Sequence, residues 1–379
     1  MWIVQILSAE RPAGGSARSR IYHYLYETRE FCSRQMLAAE CGVSMPTLYQ
    51  NLADLMNEGL VRFSGEERST GGRRAQGLEM VPDARIAVGI SITERRMRMT
   101  AVDLRLSEIA YRVLPFDLVA QLQEKKVRMA AYLEEFLDDY RLDRGRLLGV
   151  GVTIPGLITR DRTQILAAPT MNLRSVPLAQ LTRDIPYPVY VENDGTSSGY
   201  AEYFVGGRQR NLAYFSLENG VGGAVIVGGE PYLGSNNRSG EFGHICVEPG
   251  GLRCSCGKRG CLEAYCSPRR IHEEFGVSLA EFFRGVEDHN PEYETLLHDM
   301  LRHLAIAINN IRLTLGCDIV LGGYLTEFLQ PYLPILQRYV RAGSPFDQNT
   351  DYLRLSTLRR HIAPMGAALH FVHAFVSNI

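Results

Sequence analysis

SGEFGHICVEPGGLRCSCGKRGCLEAYCS, residues 239–267, decides how the rest of the chain is read. His244 precedes Cys254 by ten positions, and Cys254, Cys256 and Cys261 then fall within eight residues. Gly257 and Gly260 allow the sharp turns needed to wrap three thiolates around one ion. One histidine and three cysteines form a closed structural zinc site, with no open position for a catalytic water. The alternative is buried free thiols beside an unrelated histidine; the dense spacing and the flanking glycines disfavour it. The remaining cysteines, Cys32, Cys41, Cys246, Cys266 and Cys317, are scattered and read as ordinary thiols.

Upstream of this loop, NLAYFSLENGVGGAVIVGGEPYLG (211–234) reads as two strands joined at a Gly-rich turn, a weak signal taken alone. Further back, YPVYVENDGTSSGYAEY (187–203) brings a β-run to Asn193 and Asp194 at the start of a helix. A carboxylate held where a strand ends can contact a hydroxyl ligand. The plainer possibility is that Asp194 only caps the helix. LLGVGVTIPGLI (147–158) is a buried-looking strand that ends at Pro155-Gly156. From residue 84, three short β-runs are followed by an amphipathic pattern that predicts one long helix over roughly 117–140. No internal repeat at a fixed short period is visible.

Residues 16–80 have a different character. ARSRIYHYLYET (17–28) carries Ile21, Tyr24 and Leu25 at helical spacing. SRQMLAAECG (33–42) opens on the capping residue Ser33 and closes at Gly42. The next segment has Ser44 as N-cap, Pro46 in its first turn and a buried stripe of Leu48, Leu52 and Leu55. Two helices joined by a short Gly-containing turn, then two strands around Ser69-Thr70-Gly71-Gly72, make a winged helix-turn-helix. A helical protein-interaction module fits the hydrophobic spacing equally well. Two features favour DNA. The third helix presents Ser44, Thr47, Tyr49, Gln50 and Asn51, side chains able to reach base edges. The wing offers Arg68, Arg73 and Arg74 for phosphates or a minor groove.

Taken together these motifs resemble the ROK family, which groups sugar kinases with sugar-responsive repressors. The resemblance lies in Glu241-Phe242-Gly243-His244, in Cys254 through Glu263, in VENDG, TIPGLI and DIVLGGYL, and in the GGRR wing after the helix-turn-helix. It implies an α/β, actin-like sugar-kinase body of two lobes behind the winged helix-turn-helix. The expected boundaries are 1–80 for the DNA-binding domain, 84–195 for the first lobe, completed by a C-terminal helix over 362–379, and 196–361 for the second lobe with its zinc loop. The resemblance further implies that Gly156, Asn193, Asp194, Glu241, His244 and Glu263 surround sugar hydroxyls. His244 would then serve metal and sugar through its two ring nitrogens.

The chain departs from the kinases where phosphate should bind. Their loop G-I-D-I-G-G-T stands here as Gly89-Ile90-Ser91-Ile92-Thr93-Glu94-Arg95, and their second loop as Glu218-Asn219-Gly220. The magnesium-facing aspartate is lost to Ser91, and Glu94 and Glu218 are both expected to repel a triphosphate in a desolvated cleft. Asp194, the base of an active kinase, remains as a vestigial catalytic residue that reads as a sugar ligand. The expectation is a sugar-responsive DNA-binding regulator and not an enzyme. The alternatives are a working ATP-dependent sugar kinase with an N-terminal DNA-binding domain, and a body that answers to a protein partner.

Composition limits the remaining choices. The 379 residues exceed one ordinary domain, and a formal net charge of −1 gives no global basic field, so any DNA contact rests on a local patch. No apolar run approaches the roughly 20 residues of a membrane span. A cytoplasmic homodimer or homotetramer is expected, with operator DNA, a sugar and one structural zinc per chain as partners.

Overall fold

The computed structural model describes residues 15–28, 31–66, 76–206, 211–347, 349–358 and 362–379. The described residues open on three helices, α1 (Ala17–Glu27), α2 (Arg34–Cys41) and α3 (Met45–Asn57). Each opens on a serine, Ser16, Ser33 or Ser44, whose hydroxyl accepts a backbone N–H of the first turn. Gly42 ends α2 at φ 60°, which turns the chain into α3 within two residues. The buried face of α1 is Ile21, Tyr22, Leu25 and Tyr26; the expected Tyr24 sits only at its margin. Two antiparallel strands follow, β1 (Val61–Glu66) and β2 (Gln76–Met80). The stretch between them, with Arg68, Arg73 and Arg74, lies outside the described residues.

Two five-stranded sheets build the body. In the first, Ile86–Ile92 pairs antiparallel with Arg96–Asp103, which pairs antiparallel with Glu108–Pro115. On its other side lie Leu147–Ile154 and then Val189–Asn193, both parallel. The second sheet repeats this plan with Leu212–Leu217, Val221–Val227, Glu230–Pro231, Asp318–Gly322 and Leu353–Leu355. In both, three antiparallel strands come first and two parallel strands join beside the first of them. The repeat shows in topology and not in sequence period, because insertions of unequal length separate matching strands.

The helix Ile362–Ser377 returns to lie on Ile86–Ile92, Leu147–Ile154 and the helix Asp194–Val205. Its approach explains two glycines in the strands beneath it. A Cβ on Gly89 would stand 1.7 Å from the Pro364 carbonyl, and one on Gly151 would stand 2.3 Å from the Ala367 backbone. Gly89 is thus held by packing, whatever happens to phosphate. The expected long helix over 117–140 is two, Leu118–Gln123 and Met129–Asp139, because Lys125 turns left-handed at φ 54°.

One hydrophobic core joins the three-helix head to the body. Ile21, Leu55, Leu78 and Met80 share it with Ala87, Val102 and Leu104 of the first sheet and with Ala368 and Val372 of the last helix. The Tyr26 hydroxyl donates to the Leu104 carbonyl at 2.5 Å across this junction. Among the described residues no helix is long and apolar enough to cross a membrane.

Candidate functional site

His244, Cys254, Cys256 and Cys261 converge, with ligand atoms all within 4.8 Å of one another. Cys254 Sγ lies 3.7 Å from His244 Nδ1, and Cys256 Sγ lies 3.8 Å from Cys261 Sγ. Tetrahedral bonds of about 2.3 Å to sulfur and about 2.05 Å to nitrogen give edges of roughly 3.8 Å between sulfurs and roughly 3.6 Å between sulfur and nitrogen. The donor set therefore fits a tetrahedral ion bound through Nδ1, which leaves Nε2 of His244 for another partner. Burial pushes the Cys261 thiol up to about 12 and raises Cys254 as well. A cation placed among the four donors would favour the thiolate forms and so offset that rise. The loop closes through Gly260, at φ 81°, where a Cβ would stand 1.9 Å from the Glu248 carbonyl.

Glu263 links this loop to the second sheet. Its Oε1 accepts the Ser255 hydroxyl at 2.7 Å, and its Oε2 accepts the Val221 N–H at 3.1 Å. The expected sugar ligand is thus already a brace between the metal loop and the turn at 218–221. Beside it, burial raises the carboxyl of Glu241; the charge of His244 opposes the rise, and those of Asp194 and Glu263 add to it. Asp194, His244 and Glu263 thus lie within electrostatic reach of Glu241.

Gly156, Asn193 and Glu241 line a cleft together with Leu157, Ile158, Glu192, Thr196, Leu233, Asn237 and Ser239. Asn193, and not Asp194, is the N-cap of the helix Asp194–Val205: its Oδ1 accepts the Thr196 N–H at 3.0 Å while its Nδ2 donates to the Gly156 carbonyl at 3.0 Å. Asp194 opens the first turn, where the helix dipole favours a carboxylate, and burial raises its pKa. Sequence reasoning missed Asn237 and Glu192. Glu192 is 6% exposed, and its Oε2 accepts from Arg162 at 2.8 Å and from the Tyr190 hydroxyl at 2.9 Å. Arg162 lies 28 residues before Tyr190, so no local pattern reveals the set.

The kinase-loop positions are split in character. Thr93 closes a tight turn by donating its N–H to the Arg96 carbonyl at 2.9 Å. Glu94 at its tip is 64% exposed, with Arg95 4.0 Å away. The expected repulsion from a desolvated Glu94 therefore fails, because water and Arg95 screen it. Glu218 is different. The residue as a whole is exposed, yet desolvation of its carboxyl, with a further push from Asp194, raises its pKa to about 7. Asn219 beside it accepts the Tyr324 hydroxyl at 2.5 Å, which ties this turn to the DIVLGGYL segment.

On the head, Leu48, Leu52 and Leu55 face inward while Ser44, Tyr49 and Gln50 are exposed and Thr47 and Asn51 half-buried. Asn51 Nδ2 donates to the Thr47 carbonyl at 2.8 Å, and Ser44 and Thr47 hydroxyls meet at 2.8 Å. Arg34, which sequence reasoning passed over, stacks over Tyr49 at 5.6 Å and over Phe63 at 5.0 Å.

The model of the ROK family matches residues 117–372. The chain belongs to the ROK family. The Bacillus subtilis xylose repressor is 30% identical over 63% of this chain and 62% of its own length. The Escherichia coli DNA-binding transcriptional dual regulator NagC is 28% identical over 64% of this chain and 60% of its own length. The alignments thus span just under two thirds of these relatives. In three dimensions, a ROK family transcriptional regulator, a homologue of the E. coli Mlc protein, covers 95% of the chain at TM-score 0.74 and 22% identity. The ROK hexokinase of Thermus thermophilus covers 78% at TM-score 0.61 and 24% identity. The mixed α/β, sugar-kinase-like ROK fold is therefore the fold of this chain.

Proposed function

We propose that this chain is a sugar-responsive, DNA-binding transcriptional repressor whose kinase-like body has given up phosphoryl transfer. The observation that carries the reading is a cleft lined by Gly156, Asn193 and Glu241, with Asp194, His244 and Glu263 within electrostatic reach of Glu241, in a chain that also carries a three-helix head. Vicinal hydroxyls suit that set of carboxylates, amide and imidazole, because buried polar groups reject ligands that leave them unpaired. The names of the related repressors support the same reading.

In this reading residues 1–80 are a winged helix-turn-helix, with Ser44, Thr47, Tyr49, Gln50 and Asn51 toward base edges and Arg68, Arg73 and Arg74 toward the backbone. Residues 84–195 with 362–379 make the first lobe and 196–361 the second. The ion held by His244, Cys254, Cys256 and Cys261 is zinc, since three thiolates and one imidazole at tetrahedral spacing suit it best. Those four residues would hold it, and bound there it would stiffen the loop and fix the orientation of the His244 ring. The protein works in the cytoplasm as a homo-oligomer, because paired heads read paired half-sites. Sugar binding changes the angle between the lobes, and the shared core at Tyr26 and Leu104 passes that change to the head.

Retention of Asp194 favours one rival, an active sugar kinase. Glu218 and the Tyr324–Asn219 bond, both where the second phosphate loop of a kinase would lie, favour the regulator. A coupled assay with ATP-Mg and a hexose panel separates them. The regulator reading expects no turnover; robust turnover abolished by Asp194→Asn would overturn it.

A further inference from the structure

Asn237 stands on the loop between Glu230–Pro231 and the turn at Phe242–His244, in the second lobe. Its Nδ2 donates to the carbonyl of Ile158 at 3.1 Å. Ile158 belongs to the small three-stranded sheet of Leu157–Ile158, Gln164–Ala168 and Leu173–Pro177, which is inserted in the first lobe. The bond therefore crosses the cleft. It also fixes the amide's orientation, since a carbonyl oxygen only accepts. The other end of the amide, Oδ1, is buried and has no hydrogen-bond donor among the described residues. Asn237 holds this place with φ at 53°, a left-handed conformation that asparagine tolerates better than most residues. It lines the cleft beside Gly156, Asn193, Ser239 and Glu241.

An orphaned buried acceptor is costly to keep, and here it belongs to a residue that lines the cleft read above as a sugar site. We infer that Asn237 reads the ligand: its Oδ1 accepts a hydrogen bond from one hydroxyl of a monosaccharide held between Gly156 and Glu241, while its Nδ2 clasps the second-lobe loop to Ile158. One side chain then senses both the sugar and the closed cleft. A sugar lacking that hydroxyl leaves the acceptor unpaired and is rejected. This inference rests on the sugar-binding reading above.

The test uses the full chain and isothermal titration with D-xylose, D-glucose and N-acetylglucosamine, then the monodeoxy analogues of whichever binds. Asn237→Gly is the cleanest variant, because glycine adopts φ 53° freely and only the amide is lost. Its affinity for the parent sugar is expected to fall about tenfold, with its melting temperature little changed. One deoxy analogue should bind weakly to the unmodified protein and suffer no further loss in Asn237→Gly, the non-additivity that marks a direct contact. Equal affinity in the variant would overturn the inference and leave the sugar reading standing. So would weaker binding with every deoxy penalty unchanged, which assigns Asn237 a merely structural part. If the unmodified protein binds none of the three sugars, the sugar reading itself fails and this inference with it.

Discussion

Replacing Glu263 with alanine tests whether metal loop and cleft are one mechanical unit. The carboxylate accepts from Ser255 at 2.7 Å and from the Val221 N–H at 3.1 Å. Val221 is 4% exposed, so its N–H would be left buried and unpaired, at a cost of about 1–3 kcal/mol. The bond to Ser255 lies on an exposed loop, and its loss adds about 1 kcal/mol. Together Glu263→Ala should destabilise the chain by about 2–4 kcal/mol. Glu263→Gln keeps one acceptor oxygen and should lose about half as much. None of the four metal ligands is touched, so bound metal measured by inductively coupled plasma spectrometry should stay near one per chain. Urea denaturation gives the stability, and sugar titration gives the affinity, expected to fall at least tenfold. A stability change under about 0.5 kcal/mol with unaltered sugar affinity would refute the brace.

Three further outcomes follow from the same geometry. Cys256→Ser should lose metal, melt at a lower temperature that no longer responds to chelator, and lose its sugar response; retained sugar affinity without metal would show the two sites to be independent. The raised pKa of Glu218 favours the neutral folded form, so its contribution to stability is full below the unfolded value near 4.5 and is lost as pH rises through about 7. Denaturation at pH 5 and pH 8 should therefore show a fall in the native protein that Glu218→Gln reduces; identical profiles would remove Glu218 from the account. Changing Arg73 and Arg74 together to alanine should weaken DNA binding and lower the salt slope by about 2, whereas an unchanged titration takes the wing out of DNA contact.

The metal cluster was legible because three ligands crowd one loop and glycines mark its turns. The strand ending at Asn193 was legible from its β-run and the helix after it. The roles of individual residues there were not. Asn193 and Asp194 exchange the cap and first-turn positions, a difference of one residue that composition does not resolve. The bracing bond of Glu263 was not legible because its partner Val221 lies 42 residues away. The break at Lys125 carries neither glycine nor proline, so the apolar period runs on through it. Glu94 was misjudged because its exposure depends on where the strand turn ends, and Asn237 was missed because its partner Ile158 is 79 residues distant on the other lobe.

The central claim is that a sugar in the cleft controls the head. Its most direct test is fluorescence anisotropy on a labelled duplex that the full protein selects from a random library, titrated with and without a sugar shown to bind by calorimetry. The account predicts that saturating sugar weakens DNA binding at least tenfold, and that Glu241→Ala binds DNA normally but no longer responds to sugar. Unchanged DNA affinity at saturating sugar, or failure to select any duplex, would contradict it.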